Sequence, residues 1–188
     1  MAFGTVVFTL RNLRIAGLLP NLSYVTQSYS LEHGSELSFE VMADTDQLRS
    51  YGMIAELLSV VTHLEFTLIN ASLDPDGMFP MTGIDWGSSG SAPNQVATAD
   101  ILAGDDGLPY FGIVGDFASL YGSSVLIGLR RCKLDTLPGW KVEMNKFRIA
   151  ETKGKAIVID TTTRRLHRVR RYETGQQIPT DLNLFFAA

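Results

Sequence analysis

The sequence predicts a mainly β protein, an antiparallel β-sandwich or barrel with one flanking helix. Three observations lead there. Apolar and polar residues alternate in Glu36-Leu-Ser-Phe-Glu-Val-Met-Ala43 and His63-Leu-Glu-Phe-Thr-Leu-Ile-Asn70, the period-two mark of strands with one buried and one polar face. Val, Ile, Thr and aromatic residues recur in the other apolar runs. Clusters of Pro, Gly and Asp separate those runs as turns do. At 188 residues, one domain spanning 1–188 is expected, long enough to bury a real core.

Strands are expected first at Val6–Arg11 and Tyr24–Leu31. Glu36–Ala43 then sets Leu37, Phe39 and Val41 against Glu36, Ser38 and Glu40 on the opposite face. Thr45–Val61 is the expected helix: Leu48, Tyr51, Ile54, Ala55 and Leu58 stand at helical spacing behind a cap at Asp44 or Thr45, although Gly52 weakens it. His63–Asn70 returns to alternation, with Leu64, Phe66 and Leu68 opposite His63, Glu65 and Thr67. Asp74-Pro-Asp-Gly77 reads as a turn, and Gly83–Asn94, with its Gly87-Ser-Ser-Gly-Ser-Ala-Pro93 centre, as a long loop. Strands follow at Val96–Leu102 and Phe111–Gly115, on either side of an Asp105-Asp-Gly107 turn, and Asp116–Tyr121 is a second, shorter helix candidate. Ser124–Lys133, Lys141–Ile149, Lys155–Thr162 and Arg165–Tyr172 complete the strands, parted by turns at Leu137-Pro-Gly139 and Thr152-Lys-Gly154. A C-terminal arm, about 178–188, closes the chain with Leu182-Asn-Leu-Phe-Phe-Ala-Ala188.

Charge divides sharply. Residues 1–123 hold three basic side chains against fourteen acidic ones, a net of −11; residues 124–188 hold thirteen against six, a net of +7. Five arginines and a histidine fall within Arg164–Arg171. A small domain with an acidic and a basic part attracts copies of itself head to tail, or holds a polyanion on its basic part. With 45% apolar and only 19% charged residues, some apolar surface is expected to meet a partner.

Chemistry-bearing motifs are sparse. His33, His63 and His167 stand far apart, Asp74-Pro-Asp-Gly77 lacks the distal ligands of a calcium loop, and His63-Leu-Glu65 has no C-x-x-C to complete a zinc deaminase site. Cys132 reads as a packing residue, and with one cysteine there is no internal disulfide. No G-x-S-x-G elbow and no phosphate-binding glycine loop occurs. No catalytic residue, cofactor or metal is therefore expected. The opening residues alternate without a basic leader, and no run approaches ~20 apolar residues, so neither a secretory signal nor a membrane span is expected.

The carboxy-terminal half carries a resemblance. Pro109-Tyr-Phe-Gly-Ile-Val-Gly115 leads to Val125-Leu-Ile-Gly-Leu-Arg-Arg-Cys-Lys-Leu134, then to Trp140-Lys-Val-Glu-Met-Asn-Lys-Phe-Arg-Ile-Ala-Glu-Thr-Lys-Gly-Lys-Ala-Ile157. This order resembles the tail tube (major tail) proteins of long-tailed bacteriophages: an aromatic strand, an aliphatic strand with a basic end, a turn, and a strand leading into a G-[KE]-A-[IL] segment. Glu36–Ala43, Leu48-Arg-Ser-Tyr-Gly52 and Glu65–Asn70 are similar to the family's upstream order, so the likeness spans about residues 23–160. The 83–94 insertion, the Arg164–Arg171 run and the C-terminal tail depart from it.

The resemblance implies a virion protein, assembled in the host cytoplasm, that forms homohexameric rings stacked into a hollow tube. Its partners would be copies of itself, other tail proteins, and DNA passing through the lumen without specific binding. Glu36, Glu40 and Glu65 are then the candidates for the acidic lumen lining, solvent being the plainer destination for the same faces. Arg164, Arg165, Arg168, Arg170 and Arg171 are the candidates for contact with a neighbour's carboxylates. Phe185 and Phe186 either dock on a neighbour or pack on their own domain. Rival expectations are a nucleic-acid-binding β module using the same arginines, another virion part such as a neck or tail-terminator protein, and an enzyme or small-ligand binder of barrel type with its pocket under the Gly83–Asn94 loop.

Overall fold

The computed structural model describes residues 8–31, 36–50, 53–69, 75–84, 87–91, 93–98, 107–119, 123–137, 140–143, 146–149, 151–158, 165–173 and 175–187. In chain order its elements are β1 (Phe8–Gly17), β2 (Tyr29–Leu31), β3 (Glu36–Ser50), β4 (Met53–Ile69), α1 (Pro75–Thr82), β5 (Gly87–Ser89), β6 (Val96–Thr98), β7 (Phe111–Ser119), β8 (Ser124–Leu134), β9 (Trp140–Glu143), β10 (Lys146–Ile149), β11 (Thr152–Ala156), β12 (His167–Tyr172) and α2 (Leu182–Phe186). The protein is mainly β, and the described strand pairs are all antiparallel. Eight strands share one sheet in the order β2-β1-β7-β8-β11-β4-β3, with β12 added to β8; β9–β10 and β5–β6 are separate ribbons.

The sheet turns on β8. Ser124–Leu129 pair with β12, whereas Cys132–Leu134 pair with β11. Arg131 sits at the changeover with φ 51°, and on the opposite edge the register slips, Phe111 facing Cys132 but Ile113 facing Leu129. An extra residue in a bulge bends a strand and tightens its twist. The sheet accordingly curls over. Phe66 of β4 meets Phe111 of β7 edge-on, with ring centroids 6.1 Å apart, although β11 and β8 separate those strands in the sheet.

The concave side encloses the larger core. Leu13 and Ile15, Leu64, Phe66 and Leu68, Phe111 and Ile113, and Leu129 and Leu134 meet there, with Met78 and Met81 of α1 against them. Cys132 is wholly buried in this core, and burial raises its thiol pKa well above the usual value. It packs, as its place in the alternating run suggests. On the opposite face of β1, β7 and β8, a second core joins Ala16, Val114 and Leu126 to Tyr24 and to Leu182, Phe185 and Phe186. The central strands are thus covered on both faces.

Several expectations are corrected. Thr45–Val61 is not a helix: Asp44 pairs with Val60, Leu48 with Glu56 and Ser50 with Met53, as one long hairpin of β3 and β4. Register shifts at Met42/Ala43 and Leu48/Arg49 interrupt the two-residue alternation, so apolar residues fall at helix-like intervals. Asp116–Ser119 continues β7, because β1 and β8 both pair with it; Leu120 and Tyr121 lie outside the described residues. The flanking helix is instead α1, which starts at Pro75 within the expected turn, where a proline's missing N–H costs nothing in the first turn. Thr152-Lys-Gly154 is no turn but the start of β11, and Gly154 serves close approach: a Cβ there would lie 2.4 Å from the Lys133 carbonyl oxygen. Lys141–Ile149 divides into the β9–β10 hairpin, and the 83–94 loop contributes β5 to a small ribbon with β6.

Candidate functional site: the arginine-bound C-terminal segment

Asp181 begins this site. Its side chain accepts from the Asn183 N–H at 2.8 Å, capping the single turn of α2. The turn brings Leu182, Phe185 and Phe186 to one face, all buried. Two glycines make the bed they lie on. A Cβ on Gly128 would come within 2.3 Å of Phe185 Cε1 and 2.8 Å of Phe186 Cζ; one on Gly112 would come within 2.5 Å of Tyr24 Cε1. Asn183 then locks the segment to residue 24: its amide donates to the Tyr24 carbonyl at 2.7 Å and its Oδ1 accepts from the Tyr24 N–H at 2.8 Å.

Arginines close the other side. β12 pairs with β8 so that Arg168 lies opposite Gly128 and Arg170 opposite Leu126, both on the side of α2. Arg168 donates to the Phe185 carbonyl at 3.0 Å and to the Ala187 carbonyl at 2.8 Å; Arg170 donates to the Ala187 carbonyl at 2.8 Å. Arg130 donates to the Phe186 carbonyl and lies over that ring, 4.9 Å from its centroid. Arg14, nearly buried, donates to the Pro179 carbonyl at 2.8 Å. The carbonyls at the end of a helix have no partners of their own within it, so cations satisfy them well. Burial holds the Arg130 pKa below its ordinary value, and the nearby Arg168, Arg131 and Arg165 push the same way against the opposing pull of Tyr24.

The five arginines of the basic run therefore part company. Arg168 and Arg170 engage backbone carbonyls of their own chain. Arg165 and Arg171 are exposed, and Arg164 lies outside the described residues. Phe185 and Phe186, 1% and 3% exposed, pack on their own sheet rather than reaching a neighbour. Tyr24, Arg130, Arg14 and Asn183 were not singled out by sequence. The legible signal was Asp181 standing before an apolar triplet at i, i+3 and i+4 spacing, which marks a capped helical turn.

The acidic residues gather elsewhere. Glu40 of β3 pairs with Glu65 of β4, and Glu36 lies on the same exposed face. Lys155, opposite Glu65 on β11, reaches its Oε1 at 3.3 Å, as does His63 Nε2. The hydrogen bond from His63 and then that from Lys155 lower the Glu65 pKa. The face is thus mixed, with basic residues relieving two carboxylates that oppose each other across a ladder. A carboxylate with a lowered folded pKa stabilises the fold at neutral pH, and that contribution fades as pH falls through the folded pKa. The wild-type chain should accordingly melt slightly above Glu65→Gln at pH 7, with the gap closing as the carboxylate is protonated at lower pH. A gap that widens on acidification would contradict this ion network.

Among the described residues no group of three His, Cys, Asp or Glu side chains gathers as a metal site, and no helix is long and apolar enough to cross a membrane. No protein-family model matches the sequence, and no curated protein matches it either.

Proposed function

We propose that this chain is a phage structural protein that assembles with copies of itself into stacked rings, forming the hollow tail tube through which DNA is delivered. The observation that carries this reading is the outer half of the β3–β4 hairpin. Beyond Met42 and His63, strands Ala43–Ser50 and Met53–Val61 pair with each other and with no other described strand. Eight residues of strand span roughly 25 Å. Near the body the arm is exposed on both faces, with Val60 and Val61 53% and 52% open to solvent. An isolated two-stranded ribbon is marginal in water, and unpaired edges invite another chain. A neighbouring copy supplies both the missing pairing and the missing cover.

The division of charge supports the same reading. The arm residues Asp44, Asp46 and Glu56 lie in the acidic part of the chain, and the exposed Arg165 and Arg171 in the basic part. Unlike surfaces that meet head to tail propagate into a stack, and opposite charge sets its polarity. The nucleic-acid reading gains less, since Arg168 and Arg170 already bind carbonyls of their own chain.

Removing the arm tests the proposal. Replacing Thr45–Ser59 by Asn-Gly joins Asp44 to Val60, which already face each other, in a two-residue turn. The shortened chain should keep its far-ultraviolet circular dichroism and melting temperature and lose assembly at any concentration. Charge reversal of Arg165 and Arg171 together should raise the concentration needed for assembly at physiological salt. Assembly unchanged in the armless variant would overturn the reading.

A further inference from the structure

A cavity of about 430 Å³ opens beside the C-terminal segment, away from the 83–94 loop where a ligand pocket was one sequence expectation. Arg130, Arg131 and Arg165 line it, and no carboxylate is among its described lining residues. Tyr24, Phe186 and Leu22 supply the flat and apolar wall, the first two with ring centroids 5.2 Å apart. The Tyr24 oxygen accepts from the Arg131 N–H at 3.4 Å, which leaves its own proton to be donated. Burial raises that phenol's pKa to about 12, so the proton is present at neutral pH.

Backbone strain points to the same place. Leu22 (φ 64°) and Arg131 (φ 51°) are the non-glycine residues with positive φ among the described residues, and both line this cavity. Such conformations are strained for side chains other than glycine and cluster at ligand-binding and other functional sites. The bulge at Arg131 is what places Arg130 and Arg131 in succession on the wall of one cavity.

We propose that this cavity binds a phosphate monoester whose organic part is flat or apolar. Three arginines and a phenol among the lining residues match the charge and oxygen count of a dianion better than a single carboxylate, and guanidinium forks fit phosphate oxygens in pairs. Bound anion relieves the repulsion that Arg130 meets from its neighbours. The volume lies within the range of small-molecule sites, roughly 300–1,000 Å³, and exceeds what phosphate alone fills. Tyr24, Phe186 and Leu22 provide the surface for the remainder.

The test is titration calorimetry with phenyl phosphate at fixed ionic strength, with benzoate and inorganic phosphate as comparators. Saturable one-to-one binding of phenyl phosphate is expected, at least tenfold tighter than either comparator. Arg165→Gln removes an exposed side chain and should weaken binding roughly tenfold, one charge-assisted contact. Arg171→Gln removes the same charge outside the cavity and should leave the affinity unchanged. No saturation with phenyl phosphate, equal binding of benzoate or inorganic phosphate, or equal losses in the two arginine variants would each overturn the proposal. The binding is independent of assembly, so the armless variant should show it too.

Discussion

Gly128→Ala should destabilise the protein by roughly 3–5 kcal/mol and release the C-terminal helix from the sheet. The methyl group would sit 2.3 Å from Phe185 Cε1 and 2.8 Å from Phe186 Cζ. Neither ring has slack. Both are buried, they stack edge to face on each other with centroids 4.9 Å apart, and arginines hold the carbonyls of their own residues. The added carbon therefore displaces the segment rather than one ring, and the burial of Leu182, Phe185 and Phe186 goes with it. The effect is read as a lower melting temperature together with faster hydrogen exchange at 182–187. Gly175→Ala is the control. Nothing lies within 4 Å of a Cβ there, and its φ of 90° makes the change a backbone cost alone, roughly 1 kcal/mol. If Gly128→Ala melts like the wild type, the described packing of α2 is wrong.

Gly154→Ala should be at least as damaging, and for a stiffer reason. The new carbon would lie 2.4 Å from the Lys133 carbonyl oxygen and 2.6 Å from Phe66 Cζ. A side chain turns aside more easily than a strand moves. β11 is held on both edges, Gly154 facing Leu134 of β8 and Phe66 of β4, so relief means unpairing the strand that joins the two halves of the sheet. A loss of roughly 3–5 kcal/mol corresponds to about 10 °C or more in melting temperature for a domain of this size. Thermal melts followed by circular dichroism measure it directly. A shift of only a degree or two would mean that β11 does not sit between β4 and β8 as described.

Those two glycines show what was legible in the sequence and what was not. The alternation in Glu36–Ala43 and His63–Asn70 marked both as strands, but their faces only in part: Leu64, Phe66 and Leu68 pack on the core and Leu37 lies against it, whereas Phe39 and Val41 stay exposed. The register sets the two apolar faces side by side, Leu37 facing Leu68 and Phe39 facing Phe66. Where bulges shift the pairing, as at Leu48/Arg49, the same rule misread strand as helix. Gly154 looked like punctuation because a glycine after Thr-Lys has turn chemistry, whereas its real role depends on a carbonyl and a ring from strands elsewhere in the chain. The basic run was visible as charge. Its partners were not, since the Phe185 and Ala187 carbonyls carry no sequence signal. Tyr24 and Asn183, 159 residues apart, meet only because the chain returns across the face of β1 and β7.

The measurement to make first is mass by light scattering across a concentration series, with negative-stain electron microscopy of the same samples. The self-assembly reading predicts a mass that climbs with concentration, and rings or tubes with a central channel on the grid. A mass that stays at that of one 20.7 kDa chain throughout, with no rings in the images, would contradict it.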